Sequence, residues 1–226
     1  MNADHSTASD AFPRMIEEFI DRSRFFQRWT PGVVTRQIAQ RFLVAFDQLV
    51  ASFPALIAAG ISRLGEGGRV ILAKNLFEEC GEGHRDRTHH AIYRRYLETA
   101  GIDWKSADVH EPTVAWRERL RHHTLTEDPA EAVGVIAAGE FLAQPALTRI
   151  FEVLRPIYAE ADVAYFTSHL QLETEHVREI SELIALQCKD GSRPDGIARG
   201  FSTALDSWNA WFEAVATDLF DQKESR

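Results

Sequence analysis

The sequence predicts an all-helical fold, a bundle of seven or eight helices around one core. Three observations point there. Apolar residues recur every three or four positions over most of the chain, as one face of a helix requires. The alternating pattern of a half-buried strand is absent, and no Asn-Gly or similar dipeptide marks a hairpin. Turn signals such as Thr30-Pro31-Gly32 separate the periodic stretches.

Taken in order, Met1 to Phe12 reads as a disordered leader, and residues 13–222 as a single helical domain. The first helix runs from Pro13 to Trp29, with Pro at its start and Met15, Ile16, Phe19 and Ile20 on one side. In the next, Ile38, Phe42, Ala45, Leu49, Phe53 and Leu56 share a face, and Pro54 is expected to kink it. A third opens near Arg69 and is interrupted by Gly81 and Gly83. It resumes near Thr88 and ends at Ala100-Gly101, a C-terminal glycine signal. A shorter helix covers Pro112 to His123. Another starts at Glu127-Asp128-Pro129 and runs to Tyr158, and a further one spans Ala161 to Cys188. The last begins near Asp195 and carries Ile197, Phe201, Leu205, Trp208, Phe212, Val215 and Leu219 as one stripe.

Composition narrows the function. A chain of 226 residues buries a sizeable core. The net charge of −9 repels phosphate backbones and argues against nucleic acid as a partner. No apolar run is read as approaching the roughly 20 residues that span a bilayer, so no membrane partner is expected. The polar N-terminus lacks a secretory pattern, and the expected location is the cytoplasm. Cys80 and Cys188 have no CxxC partner and read as free thiols. An exposed stripe on the last helix, with Trp208 and Trp211, suggests a homodimer.

The chemistry lies in three clusters. In His169-Leu170-Gln171-Leu172-Glu173-Thr174-Glu175-His176, a helical advance places His169, Glu173 and His176 at roughly 0°, 40° and −20°, on one face. Two imidazoles and a carboxylate suit iron, manganese or zinc, although a solvated, charged face would show the same letters. Glu78, Glu79 and Glu82, followed by His84, His89 and His90, could supply more donors or form an exposed acidic turn. Glu140 is a lone carboxylate in an apolar, small-residue helix. Such a group is paired or metal-bound when buried, and a core Arg such as Arg149 is the alternative to a metal. Together these match a dinuclear iron site. A ferritin-like arrangement fits less well, because it needs two E-x2-H motifs and this chain has one, at Glu173 and His176.

At this point the chain resembles the haem-oxygenase-like di-iron oxidases and oxygenases, over roughly Phe25 to Leu186. The resemblance rests on Asn75-Leu76-x-Glu78-Glu79-x-Gly81, a His ahead of Tyr93, Leu97 and Gly101, the lone Glu140, and His169, Glu173 and His176. Those last three stand in the family's H-x3-[DE]-x2-H spacing, with Glu173 where Asp is more usual. The resemblance implies a haem-oxygenase-like bundle, and as ligands Glu79, His89, Glu140, His169, Glu173 and His176. Counting back from Gly101 favours His89, helical phase from Glu79 favours His90, and His84 is a third option. It also implies two iron ions cycling between Fe(II) and Fe(III), dioxygen as co-substrate, and an external electron donor. Members N-oxygenate amines, cleave carbon–carbon bonds of fatty acids or amino acids, or form para-aminobenzoate. The last branch is similar near Phe25-Phe26-Gln27-Arg28-Trp29 but has a tyrosine where Phe26 stands. The thiaminase and pyrroloquinoline quinone synthase relatives share the fold and lack this ligand set.

The expectation is therefore a biosynthetic, dioxygen-activating enzyme that N-oxygenates a small amine or amino-acid-derived metabolite. Oxidative cleavage of an amino acid or fatty acid is the alternative, and a non-catalytic helical regulator is the reading from a different class. Phe46, Phe77, Phe141 and Tyr165 are expected to line the substrate pocket.

Overall fold

A computed structural model describes residues 6–126, 128–189 and 194–221, with the side chains of residues 6–10, 169–173 and 189 outside the description. Ten α-helices and no strand occur among the described residues: α1 Ser6–Arg22, α2 Arg24–Arg28, α3 Arg36–Val50, α4 Phe53–Ile61, α5 Glu66–Glu79, α6 His89–Thr99, α7 Glu111–Thr124, α8 Pro129–Ile157, α9 Ala164–Lys189 and α10 Pro194–Phe220. Two of the predicted helices are each divided. The first breaks at Ser23, the second at Ala51-Ser52, and Pro54 sits in the first turn of α4, where its missing N–H costs no hydrogen bond. Helix α1 also begins at Ser6, ahead of the expected start at Pro13. The reason is Phe12, which is buried and stacks on Phe201 with ring centroids 3.9 Å apart. The leader expected over 1–12 is thus partly helical, and its residues 1–5 lie outside the described residues.

Side-chain caps set several helix starts. The Thr35 hydroxyl accepts from the Ile38 N–H, Thr88 does the same for Ala91, and an Asp128 carboxylate oxygen accepts from Ala130. Gly101, at φ +71°, closes α6 as its sequence position predicts.

Helices α8 and α10 form the spine of the bundle, crossing closely at two glycines. A Cβ on Gly200 would lie 2.1 Å from the Glu131 carbonyl oxygen, and one on Gly134 2.1 Å from that of Ile197. The α10 stripe is consequently spent inside. Trp211 is 1% exposed and Trp208 7%, so the surface expected to make a homodimer is not on the outside.

By length and composition the stretch Arg36–Ile61 would suffice to cross a bilayer, which corrects the sequence expectation. The turn at Ala51-Ser52 divides it, and 56% of its most apolar window is buried within the bundle, as a core segment's would be.

Candidate functional site

Four helices bring acidic and imidazole side chains to one end of an internal cavity. Helix α5 contributes Asn75 and Glu79, both buried, on the face one turn apart that points inward. The chain then reverses through residues 80–88. Gly81 makes this possible: it sits at φ +70°, and a Cβ there would come within 2.5 Å of the Arg87 carbonyl carbon and the Thr88 nitrogen. This reversal, together with the Thr88 cap, starts α6 at His89. Its Nδ1 lies 2.8 Å from Oε1 of Glu79, with both residues buried.

The three candidate histidines separate cleanly. His84 is exposed. His90 faces α3, with Nε2 2.9 Å from Oδ1 of Asp47, a carboxylate that also accepts from Arg94. Burial works to raise the Asp47 pKa, but the hydrogen bonds and charges of His90 and Arg94 outweigh it and hold the group below its usual range. His89 alone joins Glu79 at the site.

Helix α8 supplies Glu140, 2% exposed. One of its oxygens accepts from the Asn75 amide at 3.1 Å, and the other lies 3.4 Å from Nδ1 of His176 on α9. Arg149, the alternative partner, is exposed instead. The opposite ring nitrogen of His176, Nε2, is 3.2 Å from Oε2 of Glu78. Glu78 in turn accepts from Lys74 at 2.8 Å, and Lys74 also bonds the buried Glu179. Those hydrogen bonds to Glu179 and Glu78 hold Lys74 firmly protonated. The side chains of His169 and Glu173, on α9, lie outside the description.

Against this acidic end lies a cavity of about 660 Å³, counted with its open mouth. Phe46 and Tyr165 line it as expected, beside Glu79, His89 and Glu140. Phe77 and Phe141 do not. Phe77 is two residues before Glu79, about 200° round the helix, so it points outward and is 54% exposed. Phe141 turns away from Glu140 to pack on Phe12 and Phe201. The rest of the wall comes from α3, α4, α8 and α10, including Phe53, Leu147, Trp208 and Phe212. Trp208 and Phe212 were legible as one turn of the α10 stripe; nothing in the sequence said which cavity they face. Sequence reasoning named Glu78 only as a possible donor and gave no role to Lys74 or Asp47, charged residues that also pair across helices.

Among the described residues no three His, Cys, Asp or Glu side chains converge tightly enough to hold one ion. The donor set nevertheless fits iron. Glu140 is almost completely buried, and its described partners are an amide and an imidazole, with no Lys or Arg among them. A carboxylate in that position is stable when a cation faces it. Mixed carboxylate and imidazole donors are the set that iron takes.

Comparison with known proteins also points to iron. Residues 40–209 match a family described as iron-containing redox enzymes. A 4-aminobenzoate synthase of Chlamydia trachomatis is 26% identical over 178 residues, covering 74% of this chain and 74% of that protein. Its counterpart in Chlamydia pneumoniae is 25% identical over 197 residues, 83% of this chain and 85% of that one. Two solved structures share the fold at low identity. A CADD-like protein of unknown function from Nostoc punctiforme superposes with a TM-score of 0.77 at 15% identity, over 93% of this chain and 98% of its own. A domain with a haem oxygenase-like fold from Shewanella denitrificans gives 0.76 at 16% identity, over 100% and 98%.

Proposed function

The chain belongs to the family of iron-containing redox enzymes, and from that premise we propose that it is a non-haem di-iron enzyme that uses dioxygen to oxidise an apolar amine. Glu79, His89, Glu140, His169, Glu173 and His176 would hold the two ions. One observation carries the reading: Glu140, 2% exposed and without a Lys or Arg partner among the described residues, lines the cavity and faces His176.

When bound, iron supplies the electrons that reduce dioxygen and the open positions where it is activated. The protein's own groups prepare the site. Asn75 donates to Glu140 and fixes the orientation of its carboxylate. Glu78 engages Nε2 of His176 and leaves Nδ1 directed at Glu140. The apolar wall excludes water from the reacting centre.

The same wall selects the substrate. Its only ionisable acid–base groups near the site are Glu79, His89, Glu140 and the phenol of Tyr165, and no Lys or Arg lines it among the described residues. An ammonium or amine head is welcome at that acidic end, and an apolar body fits the remainder. The α-carboxylate of an amino acid would find no Lys or Arg among the described lining residues, which favours a simple amine over an amino-acid-derived substrate and N-oxygenation over amino-acid cleavage. A fatty acid, cleaved oxidatively, is the second reading, favoured by the apolar side chains, among them Leu49, Val50, Leu147 and Ile150, that make up most of the wall. The Chlamydia relatives are 4-aminobenzoate synthases. Here Phe26, with no hydroxyl, packs against Phe212 behind the cavity wall, at a centroid distance of 4.8 Å, so that product is not part of the proposal. A cytoplasmic setting, in keeping with the free Cys80 and Cys188, and an external electron donor complete it.

The test is anaerobic Fe(II) titration followed by admission of dioxygen in the presence of a panel of alkyl and aryl amines and fatty acids, with products identified by mass spectrometry. The expected result is two irons per chain and an oxygenated amine, both lost in Glu140→Ala. A protein that binds no iron, or binds it equally well without Glu140, refutes the reading.

A further inference from the structure

The cavity's wall shows where a substrate gets in. Sixteen described residues line it; fourteen are buried, and only Phe53 and Ala143 are partly exposed. The mouth therefore lies between the first residue of α4 and the middle of α8, and Phe53 stands across it. The Phe53 ring rests on Gly139. A Cβ built on that glycine would come within 2.7 Å of Cε2 and 2.9 Å of Cζ of the ring. Gly139 immediately precedes Glu140, so the ring covers the backbone beside the acidic end.

We propose that Phe53, seated on Gly139, is the gate and size filter through which substrate reaches the carboxylates. The proposal rests on the preceding reading for the identity of the substrate alone. Three features make the ring a moving part. Its seat is touched by the far end of the side chain, which two rotations carry away. It has no polar atom to be tied by a hydrogen bond. It also opens α4 directly after the Ala51-Ser52 turn that closes α3, and is itself only partly buried. The missing side chain at 139 lets the ring close flush against α8, and even one methyl group there would unseat it.

The experiment uses the full chain, with and without anaerobic Fe(II), and 1-naphthylamine as an amine on a rigid aryl body. Stopped-flow energy transfer from the wall residue Trp208 reports its arrival, and Trp208→Phe identifies that signal. Phe53→Ala is expected to speed both uptake and release about tenfold, a barrier lowered by ~1.4 kcal/mol. Gly139→Ala should accelerate both by displacing the ring. The double variant should be no faster than Phe53→Ala alone, because one gate is removed only once. Should Phe53→Ala fail to fold, Phe53→Leu serves, with a smaller acceleration. Wild-type rates in the Phe53 variant, accelerations that multiply in the double variant, or a wild-type protein that takes up no dye would each overturn the proposal. Unchanged gating with normal iron binding removes the gate alone; altered gating in a chain that binds no iron removes the di-iron reading and leaves the gate standing.

Discussion

Gly200→Ala tests the close crossing of α8 and α10. The added Cβ would lie 2.1 Å from the Glu131 carbonyl oxygen, 2.9 Å from its carbon and 3.0 Å from Cα of the same residue. An ordinary carbon–oxygen contact is about 3.3 Å or more, so the shortfall is on the order of 1 Å. All three obstructing atoms are backbone, inside the first turn of α8, and no rotamer change relieves them. The helices must part. Overpacking of this kind costs typically 1–3 kcal/mol, and a clash of backbone with backbone belongs at the upper end, about 3 kcal/mol. For a chain of this size each kcal/mol moves Tm by roughly 2–4 °C, which gives a fall of about 6–12 °C. The assay is thermal unfolding followed by far-ultraviolet circular dichroism. Gly65→Ala is the control, since Gly65 has negative φ and nothing within 4 Å of its Cβ position; as the N-cap of α5 it should lose no more than about 1 kcal/mol. Gly134→Ala should resemble Gly200→Ala, and the two together should fall short of the sum, because helices already parted accommodate the second methyl. A Gly200→Ala protein that melts within about 2 °C of wild type would refute the claim that these glycines set the α8–α10 spacing.

Three further outcomes are expected. Glu78→Gln removes the carboxylate that engages Nε2 of His176, and Fe(II) affinity in anaerobic titration should weaken by roughly 10- to 100-fold. His89→Ala should lose iron, whereas His90→Ala should keep it and lose stability instead, since His90 serves Asp47 on α3. Asp47 also has a pH signature. Its folded pKa is depressed below the ordinary 3.8, so its stabilising contribution is present above that value and is lost as pH falls through the folded pKa. Denaturant unfolding of Asp47→Asn beside wild type should show a stability gap at neutral pH that narrows below about pH 4.

Local signals told more of the fold than of its arrangement. Gly101, the Thr88 and Asp128 caps and the stripe of α10 act within one or two turns, and the sequence displays them directly. The divisions at Ser23 and Ala51-Ser52 were hidden because apolar periodicity continues across both, and tertiary packing settles where the backbone bends. The same limit explains the pocket. An apolar face is legible from spacing, but what covers it is not: Phe141 found Phe12 and Phe201, and the α10 stripe found α8. Phe77 was the exception, misplaced by a rule the sequence does carry. With Glu79 turned inward, a residue two positions earlier on the same helix has to face out. His89 over His90 lay midway, since it depended on how Gly81 redirects the chain.

Charge gives the strongest argument for what the site lacks. Glu78, Glu79, Glu140 and Glu179 lie on adjoining helices around His176 and His89. Among the described residues, Lys74 and Arg178 lie at the rim and engage Glu78, Glu179, Glu175 and Glu182. Glu79 and Glu140 face imidazoles instead. Replacing a buried carboxylate of a satisfied network by its amide costs stability; doing so at Glu140, whose described partners are an amide and an imidazole and which has other carboxylates nearby, relieves repulsion. Glu140→Gln should therefore leave the iron-free protein as stable as wild type or more so, and should abolish the stabilisation that added Fe(II) confers, which binding linkage predicts to grow with metal concentration. Melting curves with and without Fe(II) measure both effects. Destabilisation of the iron-free chain by Glu140→Gln, with the Fe(II) response intact, would mean that Glu140 is a structural hydrogen-bond acceptor for Asn75 and that the metal, if bound, is held elsewhere.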